Sequence, residues 1–317
     1  MGAGTRTFFI VVPSARRPLS NLCPTGEGVV QFIRHFLLAV QFFTRIPITG
    51  RLADWVGFSP AMLRASAGHF PGVGWLVGAV AAGVYALLAV LLPDSGYTPL
   101  VAAVVSTIVT ALLTGGFHED GLADVADGLG GSYDRDRALE IMKDSRVGAF
   151  GAMALVLALL SKVLLLGLLG AATQSPAAPL SVFSPSNAGL VWMATALIAG
   201  HTVSRLLPLL LIASLPYADN ASTASGVKAK PLADSISTKA LLAAFLWCFS
   251  ALALCLSAQA AMHLIAGCGL ALLALLWLGR LYQRRLQGFT GDCLGAAQQV
   301  TEIAFYLGLA LALGAGW

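Results

Sequence analysis

The stretch GAFGAMALVLALLSKVLLLGLLG, residues 148–170, decides the fold of this chain. Lys162 is the one charged residue in it, and the rest is almost entirely apolar. A helix rises 1.5 Å per residue, so a run of about 20 apolar residues crosses the roughly 30 Å hydrocarbon core of a bilayer. The stretch therefore predicts a transmembrane helix.

The composition of the whole chain agrees with a membrane protein. Hydrophobic residues make up 57% of its 317 residues and charged residues only 11%, whereas soluble domains carry about 25% charged residues. A soluble protein with an unusually large core is therefore excluded. We predict an all-α, polytopic helical membrane bundle with about seven transmembrane helices. The predicted spans are 71–92, 99–117, 148–170, 188–213, 240–257, 261–279 and 301–316, and an extension of the last, short span by residues 294–299 is an open alternative.

The N-terminal region carries weaker signals. Residues 1–27 are interpreted as a poorly constrained extension, and residues 28–317 as a single integral-membrane catalytic domain. Val29–Phe43 is apolar but contains Arg34 and His35. That pattern predicts an amphipathic helix at the membrane surface or against the bundle, although a further span is an open alternative.

The positions of the basic residues predict the orientation. If the N-terminus lies inside, seven spans place every Lys and Arg of the loops on one side, and only Lys162 and Arg205 fall within spans. The positive-inside rule makes that side the cytoplasm and predicts a multi-pass protein of the cytoplasmic (inner) membrane. The net charge of +4 then needs no nucleic-acid partner. The polar loops predict an active site that faces the cytoplasm.

The densest polar feature is GGFHEDGLADVADGLGG, residues 115–131. Asp120, Asp124 and Asp127 have the spacing i, i+4 and i+7, which places them on one face of a helix. Like charges so close repel one another unless a cation lies among them. Oxygen ligands without thiolates favour Mg²⁺ or Mn²⁺, and Mg²⁺ typically takes one or two carboxylates and substrate phosphates. We predict a Mg²⁺ site here; a solvated acidic loop is the alternative.

Three further residues extend this prediction. Glu119 and Asp292, the latter in GDCLG at 291–295, are candidate metal ligands beside the three aspartates. His118 and Glu119 are also candidates for the general base, because imidazole and carboxylate groups can accept a proton at neutral pH. The division of labour among the carboxylates stays open.

Basic side chains elsewhere predict phosphate binding. Lys143 and Arg146 immediately precede a glycine-rich helix start, where a diphosphate is well accommodated, although a positive-inside flank explains them equally well. Arg205 lies inside the fourth predicted span, and an ionisable residue there indicates function, unless it snorkels to the interface. The predicted substrate-binding residues are Lys143, Asp144, Ser145, Arg146, His201, Arg205 and Lys228. Lys162 is expected to be paired with an unidentified acid, and Gln298 and Glu302 share a helix face.

Four segments together resemble the cobalamin synthase family, whose members are adenosylcobinamide-GDP ribazoletransferases, also called cobalamin-5′-phosphate synthases. The resemblance extends from about residue 30 to the C-terminus. The segments are FHEDGLADVADGLGG (117–131), IMKDSRVGAFG (141–151), HTVSRLLP (201–208) and GFTGDCLGAAQQVTE (288–302).

The resemblance implies a Mg²⁺-dependent reaction in the cytoplasmic membrane. α-Ribazole or its 5′-phosphate attacks adenosylcobinamide-GDP, GMP leaves, and adenosylcobalamin or its 5′-phosphate forms. The implied partners are those two substrates and the lipid bilayer; a homo-oligomer or an association with other corrinoid-pathway enzymes is left open. The catalytic residues expected on this basis are His118, Glu119, Lys143, Arg146 and Arg205.

Two other functions compete with this one. A cation-coupled membrane transporter would place its acids near the middle of the membrane, whereas here they cluster towards one face. A CDP-alcohol phosphotransferase would carry D-G-x-x-A-R, but Asp120-Gly121 is followed by Leu122-Ala123-Asp124, with no Arg after the Ala.

Overall fold

A computed structural model describes residues 24–173, 188–218 and 235–315. Within those ranges the chain is helical, apart from turns and an isolated bridge between Tyr217 and Phe289. The all-α prediction is therefore confirmed. The helices are α1 Pro24–Phe43, α2 Gly50–Val56, α3 Pro60–Ser66, α4 Phe70–Leu91, α5 Thr98–Thr114, α6 Phe117–Gly131, α7 Arg135–Ile141, α8 Ala149–Thr173, α9 Ala188–Ser214, α10 Thr238–Leu256, α11 Ala261–Arg285 and α12 Gly291–Gly314.

Six stretches of the described chain are long and apolar enough to cross a membrane, and a bent pair of helices makes a seventh. This agrees with the predicted number of about seven. The bent pair is α5 and α6, whose axes differ by 89°. Because α6 is nearly perpendicular to α5, it runs across the end of the bundle if α5 runs along the membrane normal. The six others are Pro60–Leu91, which includes α3 and α4, together with α8, α9, α10, α11 and α12.

Helix α9 is the centre of the bundle. Of its most apolar window 83% is buried inside the protein, against 22% for the corresponding window of α8. Gly74 and Gly78 of α4 lie directly against the backbone of α9, where there is no space for a Cβ atom. Small residues at such contacts let two membrane helices approach closely, which compensates for the absence of a hydrophobic driving force in lipid.

The N-terminal helix α1 packs only its second half into the core. Ala39, Val40 and Phe43 are buried, whereas Val29 and Phe32 are exposed. The helix does not count among the membrane-span candidates of the described chain. Its location at a membrane surface stays a prediction. The interpreted extension, residues 1–27, lies outside the described residues except for the start of α1.

Two segments between the predicted spans are helical. Residues 118–147 contain most of α6 and all of α7, in agreement with the predicted helical face of the aspartates, and α12 begins at Gly291, ahead of the predicted span 301–316. Hydropathy placed the start of this span late because Gln298 and Gln299 are polar. Both are buried among protein partners, and a polar residue that is satisfied inside a bundle does not interrupt a membrane helix.

Candidate functional site

A double-glycine turn positions the acidic helix. Gly115 and Gly116, between α5 and α6, have φ values of 71° and 70°, in the left-handed region that favours glycine. A Cβ atom on Gly115 would also collide with the side chain of Arg45. The turn directs α6 across the first turns of α8 and α12, and it places Glu119 and Asp120 in the first turn of α6, where carboxylates are favoured by the helix dipole.

The structure brings three of the predicted metal ligands together, which we call the acidic cluster: Asp120, Asp124 and Asp292. Gly121 of α6 lies against the backbone of Asp292 with no space for a Cβ atom, so the two helices meet at this point. Asp124 is under the electrostatic influence of Asp292 and Asp120, and to a smaller extent of Asp127. Asp120 is exposed and the other two are half-buried, so the acidic cluster is open to solvent.

The donor chemistry of the acidic cluster fits Mg²⁺. Within the described ranges, no group of three or more His, Cys, Asp or Glu side chains is already arranged around one metal position. Mg²⁺ does not need such a group, because it usually keeps several waters and binds one or two carboxylates plus substrate phosphates. Close, mutually repelling carboxylates that face solvent offer that kind of donor set. The Mg²⁺ assignment stays a prediction.

Asp127, also predicted as a metal ligand, has another task in the structure. Its carboxylate accepts hydrogen bonds from the backbone N–H of Gly148 at 2.7 Å and of Gly151 at 2.8 Å. These N–H groups belong to the start of α8 and have no partner within that helix. Asp127 therefore caps α8 from the neighbouring helix, and Gly148 and Gly151 leave the space for its carboxylate.

Glu119 and His118 point into the bundle, away from the acidic cluster. Gln299 donates a hydrogen bond to Glu119 Oε1 at 3.0 Å, and the charge of Glu119 acts on Arg205. His118 is 1% exposed and stacks on Phe70, with the ring centroids 5.6 Å apart. Among the described residues, neither Glu119 Oε2 nor His118 Nε2 has a hydrogen-bond partner. Glu119 is therefore oriented towards a basic interior rather than towards the three aspartates.

A second polar group lies deeper, and we call it the buried charge cluster: Lys162, His201, Arg205 and Glu302. Lys162 Nζ contacts Glu302 Oε1 at 2.7 Å, and His201 Nδ1 lies 3.3 Å from the same oxygen. Lys162 is about 20 Å along α8 from its start, and Glu302 about 17 Å along α12. Both side chains therefore lie near the middle of a membrane core about 30 Å thick.

Arg205 is buried inside the bundle, as the prediction of an inward-pointing residue within a span required. The residue is 2% exposed, so the alternative of snorkelling to the interface is wrong. Its Nη1 donates to the carbonyl oxygen of His201 at 3.0 Å, and it lies 5.7 Å from the Phe70 ring centroid. Its Nε has no partner among the described residues.

Sequence reasoning missed the role of Glu302. The signal was present, because a lysine inside a predicted span demands a counter-ion. Gln298 donates to its Oε2 at 2.6 Å and the Tyr306 hydroxyl to its Oε1 at 3.3 Å. To predict that Glu302 pairs with Lys162, one must know how α8 and α12 align. The spacing of residues along the chain does not provide this alignment.

The predicted phosphate-binding loop is at the surface. Lys143, Ser145 and Arg146 are exposed, and Arg146 Nε lies 3.0 Å from Asp144 Oδ1. The hydrogen bonds from Arg146 lower the pKa of Asp144 to about 2. Arg146, Asp144 and the capping Asp127 line an open cavity between α6, α7 and the start of α8. Lys228 lies outside the described residues.

These features define a class: a polytopic helical membrane protein with an open acidic cluster and a basic loop at one end of its bundle. Residues 35–310 match the family model described as cobalamin-5-phosphate synthase. The chain belongs to that family, which confirms the resemblance seen in its motifs. No solved structure matches it.

Curated relatives match over nearly their whole length. An adenosylcobinamide-GDP ribazoletransferase of Polaromonas sp. (strain JS666 / ATCC BAA-500) is 65% identical over 90% of this chain and 99% of that protein. An adenosylcobinamide-GDP ribazoletransferase of Polaromonas naphthalenivorans (strain CJ2) is 64% identical over 90% of this chain and 100% of that protein. A third, of Leptothrix cholodnii (strain ATCC 51168 / LMG 8142 / SP-6), is 44% identical over 89% and 96%.

Proposed function

We propose that this chain is an adenosylcobinamide-GDP ribazoletransferase. It joins α-ribazole, or its 5′-phosphate, to adenosylcobinamide-GDP and releases GMP, in the last steps of cobalamin biosynthesis. The observation that carries this proposal is the 65% identity to a protein of that name over 90% of the chain. The acidic cluster and the basic loop fall within the matched residues and supply the groups that such a transfer needs.

The proposed reaction is a phosphoryl-type transfer. A hydroxyl oxygen of α-ribazole bonds to the phosphorus attached to cobinamide, and the bond from that phosphorus to the bridging oxygen breaks. The electron pair leaves with GMP, and the hydroxyl proton passes to a carboxylate of the acidic cluster or to His118. Such reactions ask the protein mainly for positioning and for positive charge around the phosphates.

Asp120, Asp124 and Asp292 would hold Mg²⁺ in this proposal. When bound, the ion screens the negative charge of the diphosphate and of the departing GMP. Arg146 would exchange its pairing with Asp144 for a substrate phosphate, because both offer two oxygens to a guanidinium. Lys143 is exposed on the same loop and adds a mobile cation. Asp127 holds the start of α8, which carries this loop, against α6.

The membrane arrangement supports a cytoplasmic site. The acidic cluster and the 143–146 loop lie at the bundle end where α8 and α12 begin, and Arg135, Arg137, Arg284 and Arg285 of the predicted inside loops lie at that end. We therefore place both substrates on the cytoplasmic face of the inner membrane. A homo-oligomer or an association with other corrinoid-pathway enzymes stays an open proposal.

The transporter alternative gains nothing from the buried charge cluster. Lys162 and Glu302 are paired directly, at 4% and 1% side-chain exposure, and a conducting site would need access from both sides. The CDP-alcohol phosphotransferase alternative has no support from the relatives named above, which are ribazoletransferases.

One assay tests the proposal. The purified protein in lipid nanodiscs is incubated with adenosylcobinamide-GDP, α-ribazole and Mg²⁺, and GMP release is followed. We expect GMP and a cobalamin product in equal amounts, with no GMP when α-ribazole is left out. Folded protein that releases no GMP would refute the transferase assignment, and equal GMP without α-ribazole would indicate a hydrolase.

A further inference from the structure

An aromatic cavity adjoins the acidic cluster. It has a volume of ≈ 230 Å³ and is lined by Phe42 and Phe43 of α1, Phe70 of α4 and Phe117 of α6, which form one wall. Residues of α9 and α12 complete it, together with Ala67, Tyr217 and Phe289. Of its lining residues, the reaction described above uses only His118, as one of the two candidate acceptors of the hydroxyl proton.

His118 is the polar group of interest in the cavity lining. Its imidazole is buried, and within the described ranges Nε2 has no hydrogen-bond partner. A buried polar nitrogen without a partner destabilises the protein, so a ligand that offers one hydrogen-bonding atom to Nε2 would remove that unfavourable contribution. An aromatic ring would also stack on the surrounding phenylalanines.

The cavity and the acidic cluster share the first turns of two helices. On α12, Gly291, Leu294 and Gly295 line the cavity, and Asp292 of the same turn belongs to the acidic cluster. On α6, Phe117 and His118 line the cavity immediately before Asp120. The cavity and the acidic cluster are therefore close enough along α6 and α12 for one substrate molecule to occupy both.

The size and polarity of the cavity decide among the ring systems of the two proposed substrates. A cavity of about 150 Å³ accepts benzene, so ≈ 230 Å³ has space for a fused two-ring system but not for a corrin macrocycle. Guanine fits by size, but its edge carries several donors and acceptors that an almost wholly apolar lining cannot satisfy. The dimethylbenzimidazole base of α-ribazole is apolar except for one free ring nitrogen.

We propose that the aromatic cavity binds the base of the ribazole nucleoside, with His118 Nε2 bonded to its free ring nitrogen. This inference rests on the proposed function for the identity of the nucleoside. It makes His118 a positioning residue for the attacking substrate, whereas the hydroxyl proton goes to the acidic cluster. The phenylalanine wall then selects a flat, apolar base and holds the ribose towards Asp292.

The test fills the cavity. Ile212 lines it from α9, and Ile212→Trp places an indole in the space of the base. Because the indole excludes the base, we expect the KM for α-ribazole to rise about tenfold or more. A tenfold change corresponds to about 1.4 kcal/mol. The KM for adenosylcobinamide-GDP stays within about twofold. Leu311→Trp, at a position on α12 that is 61% exposed, is the matched control and changes neither constant.

His118→Phe separates positioning from proton transfer. Phenylalanine keeps a flat ring in the buried space but has no ring nitrogen. Because His118 only binds the base in this proposal, we expect a raised KM for α-ribazole. The kcat should stay within about threefold of that of the unsubstituted protein. A hundredfold fall in kcat with an unchanged KM would make His118 the general base and overturn this part of the inference.

A direct binding measurement tests the cavity assignment independently of the transferase activity. Calorimetric titration of free dimethylbenzimidazole into nanodisc protein, without the second substrate, gives a binding signal that Ile212→Trp abolishes and Leu311→Trp retains. If the base binds in this way but no GMP is ever released, the proposed function fails and the cavity assignment stands. If GMP is released normally and Ile212→Trp changes neither the KM for α-ribazole nor base binding, the cavity assignment is wrong. The cavity assignment would also be refuted if a lipid chain bound in the cavity and dimethylbenzimidazole did not.

Discussion

Glu302 is the anion of the buried charge cluster. A membrane bundle tolerates such a cluster only when every charge in it has a partner. Lys162 contacts it at 2.7 Å, and Gln298 and Tyr306 donate to its two oxygens. A buried ion pair is only weak evidence for stability, but breaking one is costly because the remaining charge stays buried and unpaired. The pair also joins α8 to α12, which fixes the alignment of the two helices.

Glu302→Gln is therefore expected to destabilise the protein strongly. The substitution leaves the ammonium of Lys162 without its counter-ion, at a cost of about 3–5 kcal/mol in the free energy of unfolding. The measurement is denaturation in mixed micelles, followed by circular dichroism. The double variant Lys162→Met/Glu302→Gln removes the stranded charge and should recover most of this loss. Equal losses in the single and double variants would contradict the interpretation.

The acidic cluster gives a second prediction about single residues. Asp124→Asn keeps the side-chain volume but removes the charge that would bind Mg²⁺, so the rate of GMP release should fall about a hundredfold or more. The apparent affinity for Mg²⁺ should fall with it. Asp136→Asn is the matched control, since Asp136 is an exposed carboxylate on α7, and it should change the rate less than twofold. Normal Mg²⁺ dependence in Asp124→Asn would refute the metal assignment.

The alignment of the aspartates on α6 was predictable from their spacing, but their separation into two roles was not. Asp120 and Asp124 face Asp292 across a contact that requires Gly121, whereas Asp127 reaches the start of α8. That difference depends on which helix packs against each side of α6. The i, i+4, i+7 spacing only states that the side chains share a face.

Between helices, Asp127 connects α6 to α8, and this gives a third prediction. Asp127→Ala removes both acceptors for the N–H groups of Gly148 and Gly151 and should lower the free energy of unfolding by about 1–2 kcal/mol. At a temperature where the protein is folded, GMP release should stay within about threefold of the unsubstituted protein. A hundredfold loss without a change in stability would instead make Asp127 a metal ligand.

Most of the long helices were predictable from hydropathy because the exposed residues of α8, α10 and α11 carry no charge within the predicted spans. Two features were not. The early start of α12 is hidden by Gln298 and Gln299, whose partners come from α6 and α9. The turn between α5 and α6 is hidden because Gly115 and Gly116 are also compatible with a loop. Each depends on contacts with distant parts of the chain.

For the whole molecule, the predicted orientation can be tested by labelling. Gly96, between α4 and α5, has open space around the position of a Cβ atom, and Asp136 is exposed on α7. In a chain whose five native cysteines are replaced by alanine, Gly96→Cys should react with an impermeant maleimide in intact cells. Asp136→Cys should react only after the cells are opened. The reverse pattern would place the acidic cluster outside the cell.

The pairing of Lys162 with Glu302 also constrains how the chain is made. Synthesis proceeds from the N-terminus, so Lys162 enters the membrane with α8 while α9 to α12 have still to emerge from the ribosome. Its counter-ion arrives on α12, the final helix. Until then the nascent bundle carries an uncompensated charge within lipid or shields it with water. Chains that terminate before α12 should consequently be recognised by membrane proteases, so that full-length translation is itself a condition for a stable bundle.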